Sequence, residues 1–109
     1  MILYREAYVR IMKVYSVYIL KCADSSYYTG ITSNLSIRIE EHHSGKYQDS
    51  YTYSRRPLTL VYYCDFTNPE IAIAKEKQIK KWSRAKKEAL INGEYGKLPN
   101  LAKKKFDKK

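Results

Sequence analysis

Three short runs of β-branched and aromatic residues limit the folds that are open to this chain. They read VYSVYILK, YYTGIT and LTLVYYCDF, at residues 14–21, 27–32 and 58–66, and each suits a β-strand. Asp and Ser side chains in the turn between the first two runs bond to nearby backbone, which predicts a hairpin. Gly30 in the second strand indicates a bulge or a close backbone approach. Because three strands bury too little surface alone, helices must cover the sheet.

Three helices are predicted, over residues 35–44, 69–81 and 84–92. Asn34, Asn68 and Ser83 are suitable N-caps, because their side-chain oxygens can accept bonds from free backbone N–H groups. Pro69 is favoured at a first helical position, and Gly45 at a helix end. We therefore expect an α+β protein with a small, mainly antiparallel three-stranded sheet flanked by helices, in the order β-β-α-β-α-α.

The length of 109 residues corresponds to one domain. We expect this domain to span residues 12–97, preceded by an N-terminal extension at 1–11 and followed by a basic tail at 98–109. Residues 98–105 can add a last short turn of helix before the chain frays.

Cysteine usage and hydropathy indicate a cytoplasmic protein. Cys22 and Cys64 have no CxxC spacing, so we interpret them as small buried hydrophobes in a reducing compartment. Apolar runs stay well short of the ~20 residues that a membrane span needs. Residues 1–12 carry charges and lack the apolar centre of a signal peptide.

The charge balance points to a polyanionic partner. Lys and Arg number 21 against 11 Asp and Glu, which gives a formal charge of +10. A solubilising surface is the simplest explanation, but the excess is concentrated over residues 75–109, which favours contact with nucleic acid. No small-molecule cofactor and no membrane contact are expected.

Five residues fit the needs of phosphodiester hydrolysis, which are a group to activate water, a cation for the phosphate and a metal ligand. Tyr18 and Tyr28 lie on the two hairpin strands, and Arg38 and His42 lie four apart on one helix face. Glu76, in the middle of a basic helix, could hold a divalent cation. Each also has an ordinary alternative. The chain has 12 tyrosines, the histidine and arginine could be surface residues, and Glu76 could pair with Lys80 at i+4.

The hairpin and the first helix resemble the opening of a GIY-YIG nuclease domain. Its two motifs match SVY at residues 16–18 and YTG at 28–30, followed by Gly-Ile-Thr and Asn-Leu-x-x-Arg. This variant form is similar to the small bacterial branch of the superfamily and to the catalytic subunit of the eukaryotic structure-specific endonuclease. The resemblance covers roughly residues 14–92, and the combination is much more specific than any single motif.

The resemblance implies a role for each of the five residues. Tyr18 would take the proton of the attacking water, directly or through a relay, and Tyr28 would position that water or the phosphate. Arg38 would bind a phosphate oxygen, and His42 would assist proton transfer or hold Tyr18 in its active state. Glu76 would be the only protein ligand of one Mg²⁺ or Mn²⁺ ion. The charge of the arginine and metal would lower the pKa of Tyr18.

Two basic groups are predicted to bind nucleic acid, one on the loop after the first helix and one on the later helices. The loop group comprises Lys46, Arg55 and Arg56, and the helix group comprises Lys80, Lys81, Arg84 and Lys87. Tyrosines at 47, 51 and 53 alternate with the loop cations, a pairing typical of surfaces that bind unpaired bases, although a solvated loop is an equal alternative. The late asparagine of the family has two possible matches, Asn92 and Asn100, and neither is assigned to the site.

These observations predict a metal-dependent DNA endonuclease, with single-stranded or branched DNA as the substrate. A basic nucleic-acid-binding module without activity and an RNA nuclease are the alternatives, and the sequence alone does not separate RNA from DNA.

Overall fold

A computed structural model describes residues 13–99. Its sheet has three strands, β1 (Tyr15–Lys21), β2 (Tyr27–Thr32) and β3 (Thr59–Phe66). Their order is β2-β1-β3, and both pairings are antiparallel. The predicted sheet is confirmed, with strand ends within one residue of those expected from the sequence.

The three predicted helices are present as α1 (Leu35–Ser44), α2 (Pro69–Lys80) and α3 (Arg84–Ile91). Each begins at the predicted cap, where the side chain accepts a backbone N–H bond at the helix start. Gly45 ends α1 with a φ of 73°, a left-handed conformation that glycine adopts without strain. Short 3₁₀ helices cover Tyr53–Arg55 and Tyr95–Lys97.

Each face of the sheet has its own core, because successive β1 side chains point to opposite faces. Val17 and Ile19 pack with α2 and α3 on one face. Tyr18 and Leu20 pack on the other face, with residues of α1 such as Ile39. The central strand therefore contributes to both cores, and its buried tyrosine belongs to the α1 side.

Some expectations fall outside this description or need correction. The extension at 1–11 and most of the tail, including nearly all of the helical turn proposed for 98–105, lie outside the described residues. Cys22 is buried as expected, but Cys64 is only half-buried, because it lies on the edge strand β3. Within residues 13–99, no helix is long and apolar enough to cross a membrane.

Candidate active site

Tyr18 lies in the middle of the sheet and is completely buried. Its partner across the β1–β2 pair is Gly30. A Cβ atom on Gly30 would lie 2.5 Å from both the Cζ and Oη atoms of Tyr18, so any larger residue there would displace the ring. The β1–β2 register is continuous at Gly30, and the close neighbour is a side chain rather than backbone. The expected bulge or close backbone approach is therefore not the reason for this glycine, which provides the space for the tyrosine side chain.

A chain of hydrogen bonds leads away from the Tyr18 hydroxyl. Tyr18 Oη lies 2.9 Å from His42 Nε2, and His42 Nδ1 lies 2.9 Å from Thr52 Oγ1. Thr52 Oγ1 lies in turn 3.0 Å from Ser50 Oγ. If His42 is neutral with the proton on Nδ1, its Nδ1–H donates to Thr52 and its Nε2 accepts from Tyr18.

Burial controls the protonation of this pair. Burial raises the pKa of Tyr18 well above its usual value, and Tyr28 and Glu76 raise it further, while Arg38 lowers it. Arg38 lowers this pKa as expected, but the loss of hydration outweighs it, so the pKa is raised overall. The lowering expected from a bound metal stays a prediction. Burial also lowers the pKa of His42, and Arg38 adds to that effect. The tyrosine is a phenol and the imidazole is neutral at pH 7.

Tyr28 and Arg38 adjoin the buried pair. The Tyr28 ring centre is 6.3 Å from that of Tyr18 and 5.3 Å from that of His42. The positive charge of Arg38 lowers the pKa of both Tyr18 and His42. Its Nε lies 3.3 Å from Glu41 Oε1. The predicted i, i+4 pair on α1 thus approaches the two tyrosines.

Glu76 completes the group from α2. It is only 8% exposed, although a glutamate midway along a basic helix would be expected at the surface. Its Oε2 lies 2.8 Å from Lys80 Nζ, so the ion pair weighed as an alternative does form. The carboxylate is also close enough to raise the pKa of Tyr18. All five sequence-predicted residues therefore lie in one region, around the side chain of Tyr18.

The chemistry of Glu76 fits a divalent cation. Carboxylate oxygen is the ligand atom that Mg²⁺ and Mn²⁺ prefer. One carboxylate oxygen of Glu76 already contacts the Lys80 ammonium. Residues 13–99 contain no group of three or more His, Cys, Asp or Glu that could surround a metal. Any ion held here would keep water and substrate oxygens as its other ligands, as Mg²⁺ commonly does.

The two loop arginines are engaged within the protein. Arg55 Nε lies 3.1 Å from Asp24 Oδ2, its Nη1 donates to the Tyr51 carbonyl at 2.8 Å, and its guanidinium lies 3.7 Å from the Tyr51 ring centre. Arg56 donates to the carbonyls of Tyr53 and His43. These bonds fix the loop, and nucleic-acid contact by both arginines stays a prediction.

Most of the other predicted cations also have partners. Lys46 Nζ lies 3.3 Å from Glu41, and Lys80 pairs with Glu76. Arg84 pairs with Glu88 at 3.1 Å and donates to a carbonyl of the hairpin turn. Lys80 and Arg84 are about half exposed at their side chains, so both can still meet a phosphate. The exposed Lys81 ends α2.

Sequence reasoning missed the role of Thr52. This residue is 1% exposed and touches the site through His42, but it lies within a polar loop whose path no local pattern predicts. Asn92 caps the end of α3, while Asn100 is outside the described residues.

This chain is similar to known proteins over most of its length. Residues 14–89 match the family described as the GIY-YIG catalytic domain. A UPF0213 protein of Syntrophus aciditrophicus is 49% identical over 75 residues, which are 69% of this chain and 86% of that protein. The UPF0213 protein SH2523 of Staphylococcus haemolyticus is 44% identical over 80 residues, 73% of this chain and 96% of that protein.

A solved structure is also similar. The protein EF2693 of E. faecalis, determined in solution by NMR, is 30% identical, with a TM-score of 0.55 over 76% of this chain and 88% of that one. The family match, the curated relatives and the order of strands and helices agree. The chain belongs to the GIY-YIG family of nuclease domains.

Proposed function

We propose that this protein is a metal-dependent endonuclease that hydrolyses phosphodiester bonds in single-stranded or branched DNA. The observation that carries the proposal is the buried hydrogen bond between Tyr18 and His42, with Tyr28, Arg38 and Glu76 next to it. A catalytic set of this kind needs charged and hydrogen-bonding groups that converge on one point. The net charge of +10 favours a polyanionic substrate.

Proton transfer is the task of the two tyrosines and His42. Tyr28 lines an open cleft and meets the attacking water, whereas Tyr18 is buried behind it. As the water oxygen bonds to phosphorus, its proton passes to Tyr28 Oη, Tyr28 passes its own proton to Tyr18 Oη, and Tyr18 passes its own proton to His42 Nε2. The bond from phosphorus to the leaving oxygen breaks, and the proton is finally returned to that oxygen.

Arg38 and Glu76 supply the electrostatic part of the site. The planar guanidinium of Arg38 can bind two phosphate oxygens at once. Glu76 holds one divalent ion, either Mg²⁺ or Mn²⁺. When bound, that ion supplies positive charge that stabilises the leaving oxygen.

The decisive experiment compares Glu76→Ala with the parent protein on labelled single-stranded, duplex and branched DNA and on RNA. In Mg²⁺ or Mn²⁺ the variant should lose at least about a hundredfold in cleavage rate, ~2.7 kcal/mol of barrier. DNA binding should persist, because the change removes a negative charge from the site. Omission of the divalent ion should stop cleavage by the parent.

Glu70→Ala is the matched control, because Glu70 lies on the same helix and is exposed. It should cut at the parental rate. A folded Glu76→Ala protein that cuts as fast as the parent would remove Glu76 from the mechanism. Binding without cleavage by the parent would favour the inactive binding module, and cleavage of RNA alone would favour the RNA nuclease.

A further inference from the structure

An open cleft of about 280 Å³ lies along the free edge of β2. It adjoins the catalytic group, since Tyr28 and Lys80 form part of its wall. The remaining lining residues are Tyr27, Thr29, Tyr51 and Lys87. Small-molecule sites typically have volumes of ~300–1,000 Å³, so this cleft is near the lower end of that range. It is too small for a segment of double helix.

One wall of the cleft is a fixed aromatic platform. The rings of Tyr28 and Tyr51 lie 6.2 Å apart at an interplanar angle of 21°, which is a stacked arrangement. Arg55 holds Tyr51 through its guanidinium, and Asp24 in turn holds Arg55. Tyr51 nevertheless remains 42% exposed. A nucleobase can therefore stack on a ring that is already held in place, with little loss of side-chain entropy.

Two polar groups of the cleft lack partners among residues 13–99. Thr29 Oγ1 is buried and makes no hydrogen bond there. Lys87 is half-buried and forms no salt bridge with the described part of the chain. Burial lowers the pKa of Lys87, because its ammonium has lost hydration. An anionic group in the cleft would compensate that loss, and buried polar atoms usually have partners.

We infer that this cleft binds one unpaired nucleotide of the DNA substrate next to the cleaved phosphate, with its base on Tyr51 and its phosphate on Lys87. The inference rests on the proposed nuclease function and adds the reason for a single-stranded preference. A paired base is not free to leave its stack and lie against the ring.

The test is a binding measurement with EDTA present, which separates the cleft from the cleavage step. The probe is a single-stranded oligonucleotide that contains 2-aminopurine, whose fluorescence is quenched when the base stacks. The parent protein should quench it, and Tyr51→Leu should bind about tenfold more weakly and lose the quenching. Tyr51→Phe should behave as the parent. The control is Tyr63→Leu, because Tyr63 is an exposed tyrosine on the opposite edge strand.

The phosphate contact is tested in the same assay with Lys87→Gln. Its binding should be weaker, with a slope of log affinity against log salt that is shallower by about 0.7, the value per contact for single strands. Lys86→Gln is the control, since Lys86 is the adjacent lysine of α3 and lies over the Trp82 ring instead. When the same 2-aminopurine is placed in a duplex, addition of the protein should not change its fluorescence.

The outcomes separate this inference from the proposed function. If Tyr51→Leu and Lys87→Gln match their controls while the parent cleaves DNA, the cleft assignment is wrong and the nuclease proposal stands. If the parent quenches the probe as expected but cleaves nothing in Mg²⁺ or Mn²⁺, the nucleotide site stands and the nuclease proposal is wrong.

Discussion

Thr52 lies ten residues after His42 in the chain, and its hydroxyl oxygen is 2.9 Å from His42 Nδ1. A neutral imidazole can place its proton on either nitrogen, and the partner of one nitrogen sets the role of the other. When His42 carries its proton on Nδ1, Thr52 accepts from that nitrogen and leaves Nε2 free to accept the proton of Tyr18. It is therefore a positioning residue, which acts on the reaction through His42.

Thr52→Val should slow DNA cleavage about tenfold, ~1.4 kcal/mol of barrier, because His42 loses the group that orients it. Thr52→Ser keeps the hydroxyl and should restore most of the rate. The measurement is kcat at saturating DNA across a range of pH. Thr52→Val should change the pH dependence of kcat, and Thr52→Ser should not. Equal loss of rate in both variants, with an unchanged pH profile, would indicate that Thr52 serves packing alone.

The candidate site could be predicted from the sequence only where its residues are local or carry a family pattern. The spacing of Arg38 and His42 fixes a shared helix face, and the hairpin pairs the strands of Tyr18 and Tyr28. Burial of Glu76 was not predictable, because it depends on how α2 lies against the sheet. Thr52 was missed for the same reason, since its contact depends on how a loop folds back.

At the scale of elements, caps and strand patterns predicted the three α-helices and three strands of residues 13–99 to within one residue at each end. The two short 3₁₀ helices were not predicted. The loop at 46–58 was different. Its path depends on distant contacts, such as the pair between Arg55 and Asp24, which are 31 residues apart.

The packing of α1 against the sheet has an unusual feature, because the buried residue of this helix is the titratable His42.

The fold should therefore lose stability in mild acid. The pKa of His42 in the folded protein is below its ordinary value of 6.5, so the unfolded chain binds the proton more readily. The stabilisation is complete above about pH 6.5 and is lost as the pH falls through the lower, folded value. The pKa of Asp24 is also lowered in the folded protein, from its usual 3.8. Its contribution to stability is therefore lost only below about pH 3.8, in a different pH range from that of His42.

Urea unfolding at pH 7.5 and at pH 5 checks this expectation. The free energy of unfolding of the parent should fall between the two, and His42→Asn should show a smaller fall. His43→Asn is the control on the same helix and should lose stability as the parent does. An equal fall in His42→Asn would assign the acid sensitivity to other groups.

For the whole molecule, the excess of positive charge should govern the encounter with DNA. Affinity should fall linearly in log–log form as salt rises, by about 0.7 in slope for each phosphate contact with a single strand. Substitution of Lys80, Lys81 and Arg84 by alanine should weaken binding and make this slope shallower. The measurement is equilibrium binding to single-stranded DNA between 50 and 200 mM salt, roughly the range over which such contacts weaken.

A control triple variant replaces Lys13, Lys21 and Lys97 by alanine and so has the same net charge. These lysines are exposed and lie outside the two predicted basic groups. Its slope should change less than that of the first variant. Equal changes in both would mean that overall charge, rather than this surface, attracts the DNA.

The position of β1 between two antiparallel partners has a consequence for how relatives of this protein can differ in length. Insertion of one residue within β1 would turn Tyr18 to the face covered by α2 and α3 and move apolar side chains out of both cores. Pairing with β2 on one side and with β3 on the other therefore fixes the length of β1 from Tyr15 to Lys21. Insertions and deletions within this strand should therefore be rare among relatives.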